Sequence, residues 1–144
     1  MQEDRKQKVL TGTVRKAGPK PAVQGKNPEA LKALSAAYKA IDGKFGRETV
    51  MLDISGVSIL ADYFIIATAN NPAQLRAMAD EVTGRMAACG TPLLHSEGMQ
   101  SLKWVLLDFG CVIAHLFLQE DRDFYGIERI WGDAGKVAPE ELEI

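Results

Sequence analysis

Apolar positions along the chain repeat with two different periods, and the change of period divides it into elements. Leu31, Leu34, Tyr38 and Ile41 recur at helical spacing between Asn27-Pro28 and Gly43. Asn27 can accept from the free amides of a first helical turn, and Pro28 at the first helical position loses nothing by lacking an amide hydrogen. The spacing predicts an amphipathic helix from Asn27 to about Gly43. Asn71-Pro72 repeats the device ahead of Leu75, Met78, Val82 and Met86, with Gly90 as the stop and Gly84 as a weak point inside.

Between and after these helices the period shortens. Thr49 to Ile54 and Tyr63 to Ala67 are short β-branched and aromatic runs around Ser55, Gly56 and Ser58, read as strands buried on both faces. Thr91 to Ser96 is a further candidate strand, with a polar turn from Glu97 to Ser101. Trp104 to Asp108 and Cys111 to Leu118 flank Phe109-Gly110 and predict a tight antiparallel hairpin. With Phe109-Gly110 as the loop, Asp108 pairs with Cys111, Leu106 with Ile113, and Trp104 with His115. One face is then aliphatic, carrying Val105, Leu107, Val112, Ala114 and Leu116, and suits the underside of the helices; the other is mixed, carrying Trp104, Asp108 and His115. Beyond the charged stretch Gln119 to Asp123, a short helix is expected to dock Phe124, Ile127 and Ile130 or Trp131 on the core. The pattern predicts a single α/β domain of the α+β type, with a mixed sheet of about five strands and helices on one or both faces.

The ends differ from this middle. Residues 1–26 show no sustained period, are punctuated by glycine and proline, and read as a flexible basic arm. Seven basic residues stand there against two acidic ones, about +5, so a chain of net charge -2 leaves about -7 for the rest. Residues 135–144 read as an acidic tail, leaving 27–134 as the domain. An acidic domain argues against non-specific coating of nucleic acid; the arm has the charge to touch RNA phosphates peripherally, although a merely solvating tail is the commoner outcome of such a run. No run approaches the ~18 apolar residues of a membrane span, and the charged start lacks the apolar segment of a secretory signal. Cys89 and Cys111 make no disulfide framework, so a reducing, cytoplasmic setting and no membrane partner are expected.

Candidate chemistry thins out on inspection. Cys89, Cys111, His95 and His115 are zinc-ligand types without paired spacing, and Cys111 and His115 lie four residues apart on one strand, about 13 Å at ~3.3 Å per residue. That separation also excludes a thiol and its base, and both cysteines read as small buried apolar residues. Neither G-x-G-x-x-G nor a P-loop occurs. Asp53 is followed two places on by Ser55 rather than a second acid, and Asp121 with Asp123 suit helix capping. No metal, cofactor or catalytic residue is assigned. Trp104 opposite His115 suits either a partner surface or a half-buried aromatic with a satisfied histidine.

The order of motifs carries more. Leu52-Asp53-Ile54, Ala61 to Thr68 with Asp62-Tyr63-Phe64, Trp104 to Gly110, His115-Leu116-Phe117 and Phe124 to Asp133 together resemble the Iojap-related ribosomal silencing factors from about Pro28 to Ala134. The resemblance implies a nucleotidyltransferase-like fold without catalytic acids. It also implies a non-enzymatic translational repressor that binds the large ribosomal subunit through its ribosomal protein number fourteen. By blocking association with the small subunit, such a repressor slows translation when nutrients are scarce. Placed on the predicted hairpin and the segment after it, partner contacts fall to Trp104, Leu106, Asp108, His115, Phe117, Tyr125 and Glu128. The sequence departs from the family pattern at Asn71-Pro72, Cys111 and Gly126. Two other readings stay open: a large-subunit assembly factor, and a degenerate nucleotidyltransferase binding nucleotide through Asp53 and Asp108. Exposed sheet edges also permit a homodimer.

Overall fold

The computed structural model describes residues 4–11 and 27–142. Both long helices start as the sequence predicts. Asn27 Oδ1 accepts from the amides of Glu29 and Ala30 at 3.0 and 3.4 Å to open α2 (Pro28–Gly43), and Asn71 Oδ1 accepts from the Gln74 amide at 2.8 Å to open α3 (Pro72–Ala88). Each cap occupies donors that a helix cannot satisfy internally.

The strands are β1 (Arg47–Asp53), β2 (Tyr63–Ala69), β3 (His95–Glu97), β4 (Trp104–Asp108), β5 (Val112–Leu118) and β6 (Gly135–Val137), in the sheet order β3-β4-β5-β2-β1-β6. All neighbours are antiparallel except β2 and β5. Central β2 is buried along its whole length, which explains its unbroken apolar run. The first face of the sheet packs under α2 and α3, joining Ile65, Ala67, Val105, Leu107, Ala114 and Leu116 to Leu34, Ile41, Leu75 and Met78. The second face is covered by three short helices, α1 (Asp4–Thr11), α4 (Gln119–Tyr125) and α5 (Ile127–Ile130), with Val9, Ile127 and Trp131 set against Phe64, Ile66, Trp104, Leu106, Ile113 and Phe117.

The hairpin assignment of side chains to faces holds, but its register does not. Trp104 pairs with Phe117, Leu106 with His115 and Asp108 with Ile113, two residues from the expected partners. The cause is the loop. Phe109 N–H donates to the Val112 carbonyl at 2.9 Å, so the two loop residues are Gly110 and Cys111, with Gly110 at φ +91°. A type II′ turn puts glycine first, whereas a Phe109-Gly110 type I′ loop needs a positive φ at phenylalanine, and Phe109 is instead buried in the first core. Moving the loop by one position moves the pairing by two, and an even shift leaves every side chain on its face.

Other expectations are corrected at the ends. Residues 4–11 of the supposed flexible arm form α1, whose Val9 is fully buried; the rest of that arm lies outside the described residues. The supposed acidic tail completes the sheet: β6 pairs with β1, and a 3₁₀ turn over Pro139–Leu142 buries Leu142 in the first core. Among the described residues the sheet therefore has six strands rather than five. Phe124 does not dock, being 77% exposed, whereas Ile127 and Trp131 do.

Candidate functional site

The mixed face of the hairpin gathers its aromatic residues into one cluster. Phe117 stacks on Trp104 with ring centroids 5.1 Å apart, Tyr125 from α4 meets the same indole at 4.7 Å, and His115 lies diagonally across the strand pair. The Trp104 Nε1–H donates to His115 Nδ1 at 3.2 Å. Since Nδ1 accepts, the imidazole proton sits on Nε2, which is buried and has no hydrogen-bond partner among the described residues; the Phe64 ring stands edge-on 4.7 Å away. Complete burial, and secondarily the Lys6 charge, push the His115 pKa down to about 3, so the ring is neutral at physiological pH.

Of the seven residues placed at the partner surface, Trp104, His115, Phe117 and Tyr125 come together, mostly beneath a cover and with Leu106 in the same core, whereas Asp108 lies four positions along β4 from Trp104 and Glu128 pairs with Arg122. Trp104 is only 3% exposed, and Leu106, Asp108, His115 and Phe117 are buried; Tyr125 and Glu128 are half-buried. Trp104 and its neighbours are roofed by α1 and α4. Lys6 Nζ lies 5.0 Å from the centroid of the Trp104 indole, within cation–π range, and the Lys6 amide donates to Glu97 Oε1 at 3.4 Å. Gly98, at φ +90°, makes this approach feasible, because a Cβ there would stand 2.0 Å from the Trp104 carbonyl oxygen and 2.7 Å from Lys6 Nζ. Lys6, Val9 and Glu97 were not legible as site residues. The only local signal was the apolar pair Val9-Leu10 inside a polar stretch.

Glu128 has a structural partner. Arg122 on α4 grips it with Nε at 3.1 Å and Nη2 at 2.8 Å, a bidentate pair, while Arg122 Nη1 donates to the Glu48 carbonyl and to Thr68 Oγ1, both at 2.8 Å. The clamp ties the α4–α5 elbow at Gly126 (φ 54°) to β1 and β2, and no signal short of the tertiary structure singled out Arg122.

The remaining candidates do not converge. Asp53, opposite Tyr63, points to the first face, whereas Asp108 shares the second face with Trp104 and Leu106. Three strand spacings separate them, about 14 Å at ~4.8 Å each. Asp53 Oδ1 instead accepts from the Ser55 amide and hydroxyl at 3.0 and 2.6 Å. Among the described residues no three histidine, cysteine or acidic side chains converge as a metal site. Both cysteines are half-buried rather than fully buried, and burial, followed by Asp62, pushes the Cys111 thiol pKa up. Among the described residues no helix is long and apolar enough to cross a membrane.

Comparison with known proteins gives this arrangement a family. The family model described as ribosomal silencing factor during starvation matches residues 27–144, leaving α1 outside the match. A ribosomal silencing factor of Halalkalibacterium halodurans is 36% identical over 110 residues, covering 76% of this chain and 92% of its own length. A crystal structure of a Chromobacterium violaceum protein superposes with a TM-score of 0.70 at 32% identity, covering 76% of this chain and 89% of that one. A mouse protein named for mitochondrial assembly of the large ribosomal subunit is 26% identical over 88 residues, covering 59% of this chain and 39% of its own length. With its complete sheet and both faces falling inside the matched residues, the chain belongs to the Iojap-related ribosomal silencing factor family.

Proposed function

We propose that the protein is a non-catalytic translational repressor of the cytoplasm. It binds the large ribosomal subunit through ribosomal protein number fourteen and blocks joining of the small subunit by its bulk, slowing translation when nutrients are limiting. The observation that carries this reading is the family match over 27–144, which spans the whole sheet and both of its faces. The chemistry is consistent with it. Asp53 and Asp108 face opposite sides of the sheet, so the acids that a nucleotidyltransferase would bring to one metal are held apart. Occlusion needs only a stable body and an affinity that competes with subunit joining.

The test is sedimentation of the full chain with purified large subunits, together with light scattering of subunit joining. Co-sedimentation with large but not small subunits, slower joining, and a cross-link to protein fourteen are expected. Sedimentation with unchanged joining would remove the blocking step. The second reading, large-subunit assembly, is favoured by the name of the mouse relative. Under it, a deletion strain accumulates immature large subunits while joining of mature subunits proceeds at its usual rate.

A further inference from the structure

The second face of the sheet ends in a groove already occupied by part of the chain itself. Its wall carries Trp104 on β4, with Tyr125 against the same indole, and on β3 the buried acid Glu97, whose Oε2 also meets His95 Nε2 at 2.7 Å. The segment lying in it is short, basic and amphipathic. Val9 is 0% exposed within the second core, Leu10 packs beside it, Lys6 covers the Trp104 indole, and the first turn of α1 donates an amide to Glu97. Each feature of the segment therefore meets its complement: cation on the aromatic face, helix amide on carboxylate, aliphatic side chain on apolar floor.

Two observations mark α1 as a replaceable occupant. It lies outside the residues shared with the family, so the matched fold is specified without it. A helix of 8 residues is also marginal by itself, because nucleation offsets most of what so few hydrogen bonds contribute. Its covalent connection to α2 keeps its local concentration high.

We infer that the Trp104–Glu97 groove is a docking site for a basic segment with an aliphatic side chain, belonging to a protein of the large ribosomal subunit, and that α1 holds the groove as an intramolecular competitor. The inference rests on the ribosomal reading above for the partner's location. The buried Glu97 carboxylate at the wall disfavours RNA phosphate, so a protein segment is the occupant that the charge selects.

The experiment compares the full chain with Val9→Asp, which puts a charge into the apolar floor, and with Gln7→Glu, an exposed position carrying the same change in charge. Iodide quenching of tryptophan fluorescence reports whether Trp104 has been uncovered. Val9→Asp is expected to raise quenching and to tighten binding to purified large subunits on the order of tenfold, the factor expected when about one tenth of the unmodified chain has an open groove. Gln7→Glu should do neither. Lys6→Ala serves as a second opening variant should Val9→Asp fail to fold. Raised quenching with equal or weaker binding overturns the competitor role. Photo-cross-links from Tyr125 confined to ribosomal RNA overturn the protein partner. If neither form sediments with large subunits, the ribosomal reading falls and takes the partner with it, an outcome distinct from binding that α1 does not affect.

Discussion

The two faces of the sheet are buried by different means. On the first, two helices of 16 and 17 residues, each with an asparagine cap, lie over a largely aliphatic layer. On the second, helices of 8, 7 and 4 residues cover an aromatic layer threaded with Lys6, Glu97, Asp108, His115 and Arg122. Burial by the first means depends on area alone, and almost any aliphatic side chain of the right volume serves. Burial by the second depends on each polar group keeping its partner, so the cover can be loosened by changing one charge or one proton. The first face is therefore the scaffold, and the second is where a conditional state can reside.

The largest expected effect breaks the second face at its clamp. Arg122→Ala leaves the Glu48 carbonyl, Thr68 Oγ1 and the Glu128 carboxylate without their donors, and should cost about 3 kcal/mol in urea unfolding. A loss below about 1 kcal/mol would mean that the α4–α5 elbow is held by apolar packing alone, as the first face is.

A smaller effect separates the faces by pH. His115 stays neutral in the fold down to about pH 3, whereas an unfolded histidine takes a proton near 6.5. Below that pH the unfolded chain binds the extra proton, so stability is fully present above about 6.5 and falls as pH drops toward 3. The loss from this group is about 1.4 kcal/mol between pH 7.5 and 5.5, and His115→Gln should abolish it. An unchanged pH dependence in that variant would show that the buried imidazole does not set it.

The smallest effect lies on the first face. Asn71→Ala removes the cap on the Gln74 amide and should cost about 1 kcal/mol in the same assay, without altering iodide quenching of Trp104. Increased quenching would show that the two faces are coupled and would undo the division between them.

Much of this was legible from local chemistry. The Asn-Pro starts marked both long helices because a cap and its amides lie within four residues of each other. Alternation along Trp104–Asp108 and Val112–Leu118 sorted side chains between faces correctly even though the register was misjudged, since an even slip conserves parity. The aromatic cluster was foreseen as a set of residues but not as a covered one. Val9 shares a core with Trp104 across most of the chain, and the Lys6–Glu97 contact spans 91 positions, so no window of sequence contains both partners. Gly135–Val137 likewise reads as tail because a strand of three residues is too short to show a period.

The sequence by itself determined the elements, their caps and the two-sided character of the hairpin, because these follow from hydrogen bonds and steric preferences among near neighbours. Only the tertiary structure decided that Gly110 rather than Phe109 opens the turn, that Arg122 clamps the elbow, and that α1 lies over Trp104. Each of those depends on whether a distant surface is there to bury a ring or to pair a charge, and that surface exists only once the sheet has formed.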